Sequence, residues 1–302
     1  MKQIGKQIII WLGIMAILTV LAMGVWMVIW GGSQSTESLK WLQFLQTIGT
    51  FLLPPVLCAW MWDEHHQPMA WLGLNKGANW QFFLIAIGIM ICAIPGINLL
   101  ADLNGRALDW LLAVSDWLLV IGNWMKSMEE SAALLTERFL AADNIGELLL
   151  NVGLMALLPA FSEEISFRGT LQQIIYRQKT ASLQEQRAKT DLGAHVAIWV
   201  TAFIFSAIHM QFYGFVPRML MGAMFGYMFV WSGSLWIPIV MHFTNNSLAV
   251  VVYYFTSGNS NGEETQNIAD TIGAGDTWWL GVLSLVITCL GLLIFYRRTH
   301  KQ

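Results

Sequence analysis

The chain has 302 residues, 56% of them apolar, with 16 Lys and Arg against 19 Asp and Glu and a formal net charge of −3. Charged residues make up 12%, where a soluble domain carries about 25%; that is too little charge to cover a soluble globule of this size. A soluble enzyme, a disordered chain and a nucleic-acid binder are excluded, and the 16 Trp and 16 Met fit a polytopic membrane protein.

A bilayer-crossing helix needs about 20 mostly apolar residues. Ile8–Trp30 is the first such run. Lys2 and Lys6 precede it, but it is too long for a signal peptide and no small-x-small cleavage site closes it, so it reads as a retained anchor. Trp41–Trp62 and Trp80–Ala101 follow, again without a charged residue. Residues 102–144 differ: Arg106, Lys126 and Arg138 are outnumbered by acids, and Trp110, Trp117 and Trp124 recur every seventh residue. That stripe predicts an amphipathic helix lying on the outer interface or capping the bundle. Ile145–Arg168, Leu192–Met210, Phe215–Trp231 and Leu235–Thr256 are apolar with polar interruptions, and Thr277–Tyr296 is uninterrupted.

The expected architecture is an all-α transmembrane bundle of about eight spans, one membrane-embedded domain over 1–302. Within it, residues 1–101 hold the first three spans, 102–144 the external segment and 145–256 the core of spans four to seven. Residues 257–302 hold an external loop, the last span and a basic tail. Lys2 and Lys6, then Arg177, Lys179, Arg187 and Lys189, then Arg297, Arg298 and Lys301 fall on one side, which places both termini inside. The loop at 257–276, with Glu263, Glu264, Asp270 and Asp276 and no Lys or Arg, then lies outside. Cys58, Cys92 and Cys289 sit singly in apolar runs and read as small packing residues.

Charges at membrane depth are costly and mark function by default. Away from span ends there are Glu163, Glu164, Arg168 and Arg218, three of them inside Glu163-Glu164-Ile-Ser-Phe-Arg168. Glu164 and Arg168 stand four apart with the acid N-terminal, the favourable order for an ion pair. Glu163 lies about 100° round the helix with no cation of its own nearby. Phe205 and His209 share a face of the fifth span, and His242 and Asn246 a face of the seventh. At about 1.5 Å per residue, Glu163 is roughly 21 Å from the inner end of its span, His209 roughly 22 Å and His242 roughly 16 Å, so the three can meet.

Glu-Glu-x-x-x-Arg, Phe-x-x-x-His and His-x-x-x-Asn, in this order over residues 145–255, resemble the CPBP family of intramembrane proteases. That family includes the eukaryotic type II CAAX prenyl endopeptidase and bacterial proteins tied to bacteriocin processing and immunity. Phe167-Arg168-Gly169 and Gly233-Ser234-Leu235-Trp236 add to the likeness. The resemblance implies an endopeptidase in a bacterial cytoplasmic membrane, acting on a peptide or membrane-protein substrate, with Glu163 and His209 activating a water. It further implies that His242 and Asn246 stabilise the oxyanion and that Glu164 and Arg168 position and tune Glu163. It implies no cofactor. Zn²⁺ on two His and a carboxylate is the alternative, although no His-Glu-x-x-His is present. A non-catalytic scaffold or immunity factor of the same fold, or an ion-coupled transporter, would also explain buried charge.

Other patterns read as structural. Gly258-Asn-Ser260-Asn-Gly262 satisfies a nucleophile-elbow pattern without a flanking strand and helix. Asp63-Glu64-His65-His66 lies just past a span end, where adjacent side chains rarely converge on a metal. Gly222-x-x-x-Gly226 is a close-packing face, and Pro159 is placed to kink the fourth span ahead of Glu163. Arg218 is either a structural partner or a binder of a substrate carboxylate.

Overall fold

A computed structural model describes residues 2–177, 192–257 and 271–300. The basic residues Lys179, Arg187, Lys189 and Lys301, the acids Glu263, Glu264 and Asp270, and the Gly258–Gly262 pattern lie outside the described residues. The described chain is helical: α1 Lys2–Trp30, α2 Thr36–Trp62, α3 Pro68–Leu72, α4 Trp80–Leu112 and α5 Asp116–Leu140 come first. They are followed by α6 Ile145–Tyr176, α7 Leu192–Ala207, α8 Phe215–Ser232, α9 Trp236–Ser257 and α10 Trp278–Thr299.

Among the described residues five helices are long and apolar enough to cross a membrane: α1, α2, α4, α6 and α10. Their outward faces remain apolar, with Ile9 72% and Val28 86% exposed on α1, surface that only lipid can cover at low cost. The shorter or more polar α7, α8 and α9 carry His195, Arg218, His242 and Asn246. The chain is thus a polytopic helical bundle.

Local chemistry sets the ends. Ser35 accepts the amide of Ser38 to open α2. Asn144 accepts the amide of Glu147 while Glu147 accepts the amide of Asp143, a reciprocal cap that opens α6. Gly73 and Gly233, at φ +84 and +65, close α3 and α8 in the left-handed conformation that glycine tolerates. The α8–α9 turn then seats on residues 73–76: Leu235 N–H donates to Gly73 O, and Ser234 Oγ donates to Lys76 O at 2.6 Å.

The third apolar run does not stop at the membrane. α4 continues past Ala101 to Leu112, the chain breaks at 113–115, and α5 runs back as a second helix. The segment expected as one amphipathic helix is therefore the tail of α4 plus α5. Trp110 and Trp117 are 74% and 66% exposed near the break, while Trp124, 48% exposed, packs one face onto Phe212, ring centroids 5.4 Å apart.

Prolines shape the interior. Ser284 Oγ accepts the amide of Gly96 and donates to Cys92 O, wedging α10 into α4 beside Pro95. In α2 the α-helical donor to Phe51 O would be residue 55, which is proline; Ser166 Oγ of α6 donates there instead, at 2.9 Å. π-helical turns run over Thr47–Leu52, Val152–Leu157 and Phe167–Gln172, the last two flanking the acidic pair. Cys58 is buried as expected of a packing residue, whereas Cys92 and Cys289 face outward. Asp63 and His66 close a turn: Asp63 Oδ2 accepts the amide of Gln67, His66 Nδ1 donates to Trp60 O and its ring stacks on Trp60.

Candidate active site

Glu164 and Arg168 occupy the turn where α6 passes from α-helical to π-helical geometry, both with fully buried side chains. Arg168 Nη1 donates to Glu164 Oε1 at 2.7 Å, and Nη2 donates to Gly222 O of α8 at 3.0 Å. One turn further along, Gln172 Nε2 donates to Gly226 O. The two glycines therefore do more than allow close packing: their carbonyls receive the polar side chains of α6. A Cβ on Gly222 would stand 3.3 Å from Arg168 Nη2, and one on Gly226 only 2.7 Å from Gln172 Oε1.

The same Glu164 Oε1 is reached from α9. His242 Nδ1–H donates to it at 2.9 Å, so a single carboxylate oxygen joins an arginine to a histidine. The resemblance implies that Glu164 and Arg168 position and tune Glu163; their hydrogen bonds run to each other, to His242 and to α8. Aromatic rings wall this chain. Phe225 stacks on His242 at 5.6 Å, and Phe205 lies under the Arg168 guanidinium at 4.6 Å with its edge toward His242. Low-dielectric walls strengthen each charged contact and make a lost partner costly.

Glu163 is half-buried, and no hydrogen bond to its carboxylate is found among the described residues. It lies in the electrostatic field of His242, Glu164, Arg168 and Arg218. Of these, Arg168 and Glu164 stand on its own helix, Arg218 on α8 and His242 on α9.

His209 stands not on α7 but on the turn after it, since α7 ends at Ala207. Its Nδ1–H donates to Phe205 O at 2.7 Å, and its ring meets the Phe205 ring at 5.0 Å. It feels Arg218, His242 and Arg168. Both histidines therefore spend Nδ1–H on an acceptor, which leaves Nε2 of each as the reactive nitrogen. Arg218 holds Gln211 through Nη2 to Oε1 at 2.6 Å and Nη1 to the main-chain O at 3.3 Å.

Asn246 Nδ2 donates to Met155 O at 3.3 Å. The α-helical donor to that carbonyl would be residue 159, again proline. Pro159 thus disrupts the ladder four residues before Glu163, and the amide from α9 replaces what it removes. Asn245 Nδ2 donates to Asn246 Oδ1, fixing the amide's orientation. Among the described residues no three His, Cys, Asp or Glu side chains converge as a metal-ligand set.

Three residues tied to this site carry no motif in the sequence: Gly222 through its carbonyl, Phe225 through its ring and Met155 through its carbonyl. Only the Gly-x-x-x-Gly spacing hints at the first; main-chain acceptors leave no residue signature.

Residues 145–248 match the family model described as type II CAAX prenyl endopeptidase Rce1-like. An uncharacterized protein of Bacillus subtilis (strain 168), YpbD, is 28% identical over 93 residues, covering 30% of this chain and 38% of YpbD. No solved structure matches. The matched segment runs from the start of α6 into α9 and contains Glu163, Glu164, Arg168, His209, His242 and Asn246. Over that segment, about a third of the chain, the protein is similar to the Rce1-like type II CAAX prenyl endopeptidases.

Proposed function

We propose that this chain is a metal-independent intramembrane endopeptidase of a bacterial cytoplasmic membrane, crossing the bilayer about eight times with both termini inside. Its substrate is a peptide or membrane protein whose scissile bond reaches the polar site enclosed by α6 to α9. The reading rests above all on Glu164, which joins His242 to Arg168 beside an unpartnered Glu163.

Glu163 and Nε2 of His209 are both free to accept a proton, so a water between them is deprotonated as its oxygen attacks the scissile carbonyl. The oxyanion that forms needs donors. His242 supplies one from Nε2 when its ring is protonated, with the Glu164 carboxylate behind it offsetting the charge. Asn246 supplies another from the Nδ2 hydrogen that Met155 O does not take. Collapse breaks the C–N bond, and the proton held by Glu163 or His209 passes to the leaving amine. Arg168 acts through Glu164, as a support rather than a reactant.

Reconstituted protein given a synthetic membrane-segment peptide in heavy-oxygen water tests this directly. Hydrolysis places the label in one new C-terminal carboxylate. An intact peptide across a diverse panel favours the non-catalytic scaffold, and substrate flux into vesicles without cleavage favours a transporter.

A further inference from the structure

The loop that carries His209 is held by a part of the chain lying outside the family match. Residues 208–214 join α7 to α8 and form no helix of their own. Met210, directly after His209, sits at φ +54, a left-handed conformation that costs a non-glycine residue of order 1 kcal/mol or more and persists only where its surroundings enforce it. The enforcing groups come from the tail of α4 and from α5. Asn104 Nδ2 donates to Phe212 O at 2.9 Å and to Tyr213 O at 2.7 Å, so one amide nitrogen fixes two successive peptide planes. Tyr213 Oη donates to Asp109 Oδ1 at 2.7 Å, and its main-chain N–H donates to Glu129 Oε2 at 3.3 Å. Lys126 pairs with Asp109 at 3.2 Å, and Trp124 packs on Phe212. Gly105 makes room: a Cβ there would lie 3.3 Å from the Tyr213 ring.

We propose that the α4 tail and α5 form a clamp that positions His209 for the reaction, with Asn104 as its principal positioning residue. The catalytic consequence rests on the hydrolase reading above; the mechanical one does not. His209 is tied back to α7 by its ring, through Phe205 O, and by its main-chain N–H, through Ser206 O; the far side of its turn is held by Arg218 at Gln211 and by the pinning of Phe212 and Tyr213. Displacing a reacting group by about 1 Å can lower turnover about a hundredfold without touching substrate binding.

Asn104→Asp keeps the side chain's size and removes both donors, turning an oxygen toward two carbonyls. The clamp predicts faster amide exchange across 208–214 and a kcat for peptide cleavage at least about tenfold lower, with KM changed less than about twofold. Tyr213→Phe, which deletes only the bond to Asp109, moves both readouts the same way by less, and serves if Asn104→Asp fails to fold. Arg106→Ala, removing an exposed cation paired with Asp102, changes neither. Wild-type exchange in Asn104→Asp overturns the clamp, and so does faster exchange with unchanged kcat. If Glu163→Ala cleaves like wild type, it is the hydrolase reading that fails, while amide exchange still decides whether the loop is clamped.

Discussion

His242 and Arg168, on two different helices, meet on the same oxygen of Glu164, at 2.9 and 2.7 Å. A buried carboxylate shared in this way is the hinge of the site: it neutralises Arg168, occupies Nδ1 of His242 so that Nε2 is left free, and couples α6 to α9. Among the described residues neither Glu164 Oε2 nor Arg168 Nε has a hydrogen-bond partner, so the arrangement there has no spare bonds with which to absorb a loss.

Glu164→Gln should therefore destabilise the fold as well as abolish cleavage. It leaves Arg168 as an uncompensated buried cation, a change costing about 3–5 kcal/mol. Thermal unfolding in detergent should show a large drop for Glu164→Gln and little change for Glu163→Gln, whose carboxylate has no hydrogen-bond partner to lose among the described residues.

Asn246 and Pro159 should be energetically coupled through Met155 O. Asn246→Ala leaves that carbonyl without its side-chain donor, at a cost of about 1–3 kcal/mol. In a Pro159→Ala background the restored main-chain N–H can serve Met155 O, so the same substitution should cost about 1 kcal/mol less. Additive losses in the double-mutant cycle contradict the assignment.

Gly226→Ala should be worse than Gly222→Ala for stability. The new methyl at 226 lies 2.7 Å from Gln172 Oε1 and 3.0 Å from Ile198, an overpacking worth about 1–3 kcal/mol. At 222 the nearest atoms are the Arg168 terminus and the Phe205 ring, both at 3.3 Å, so there the expected effect is on catalysis, through Glu164.

The clamp on the His209 loop should weaken in acid. The Tyr213 hydroxyl, with Lys126 beside it, holds the Asp109 carboxyl below the usual carboxylate range. A lowered carboxylate contributes stability above its unfolded value, about 3.9, and loses it as pH falls through the folded one. The difference in loop amide exchange between wild type and Asp109→Asn should thus be full near neutrality and vanish in strong acid. Exposure of the pair keeps the effect small.

How far these features could be read in advance depended on their range along the chain. The Glu164–Arg168 pair was legible because four residues suffice to place both groups on one helical face. That Glu164 also binds His242 is not legible, because 78 residues separate that pair and helix packing decides it. The Trp110, Trp117 and Trp124 stripe points to helix, and helix is found on both sides, yet periodicity alone hides the break at 113–115; Ser115-Asp116, a helix-opening pair, carries the available signal. Pro159 announced a disturbed ladder but not that Asn246 would fill it. Phe205 and His209 were read as neighbours on one helix; their rings do touch, with His209 on a turn that four-residue spacing cannot distinguish from helix.

Peptide cleavage by purified protein, compared with Glu163→Ala and His209→Ala and with and without a chelator, bears most directly on the central claim. The account predicts that each substitution abolishes cleavage while chelation leaves the wild type fully active. Equal cleavage by all three proteins, or activity lost to the chelator alone, contradicts it.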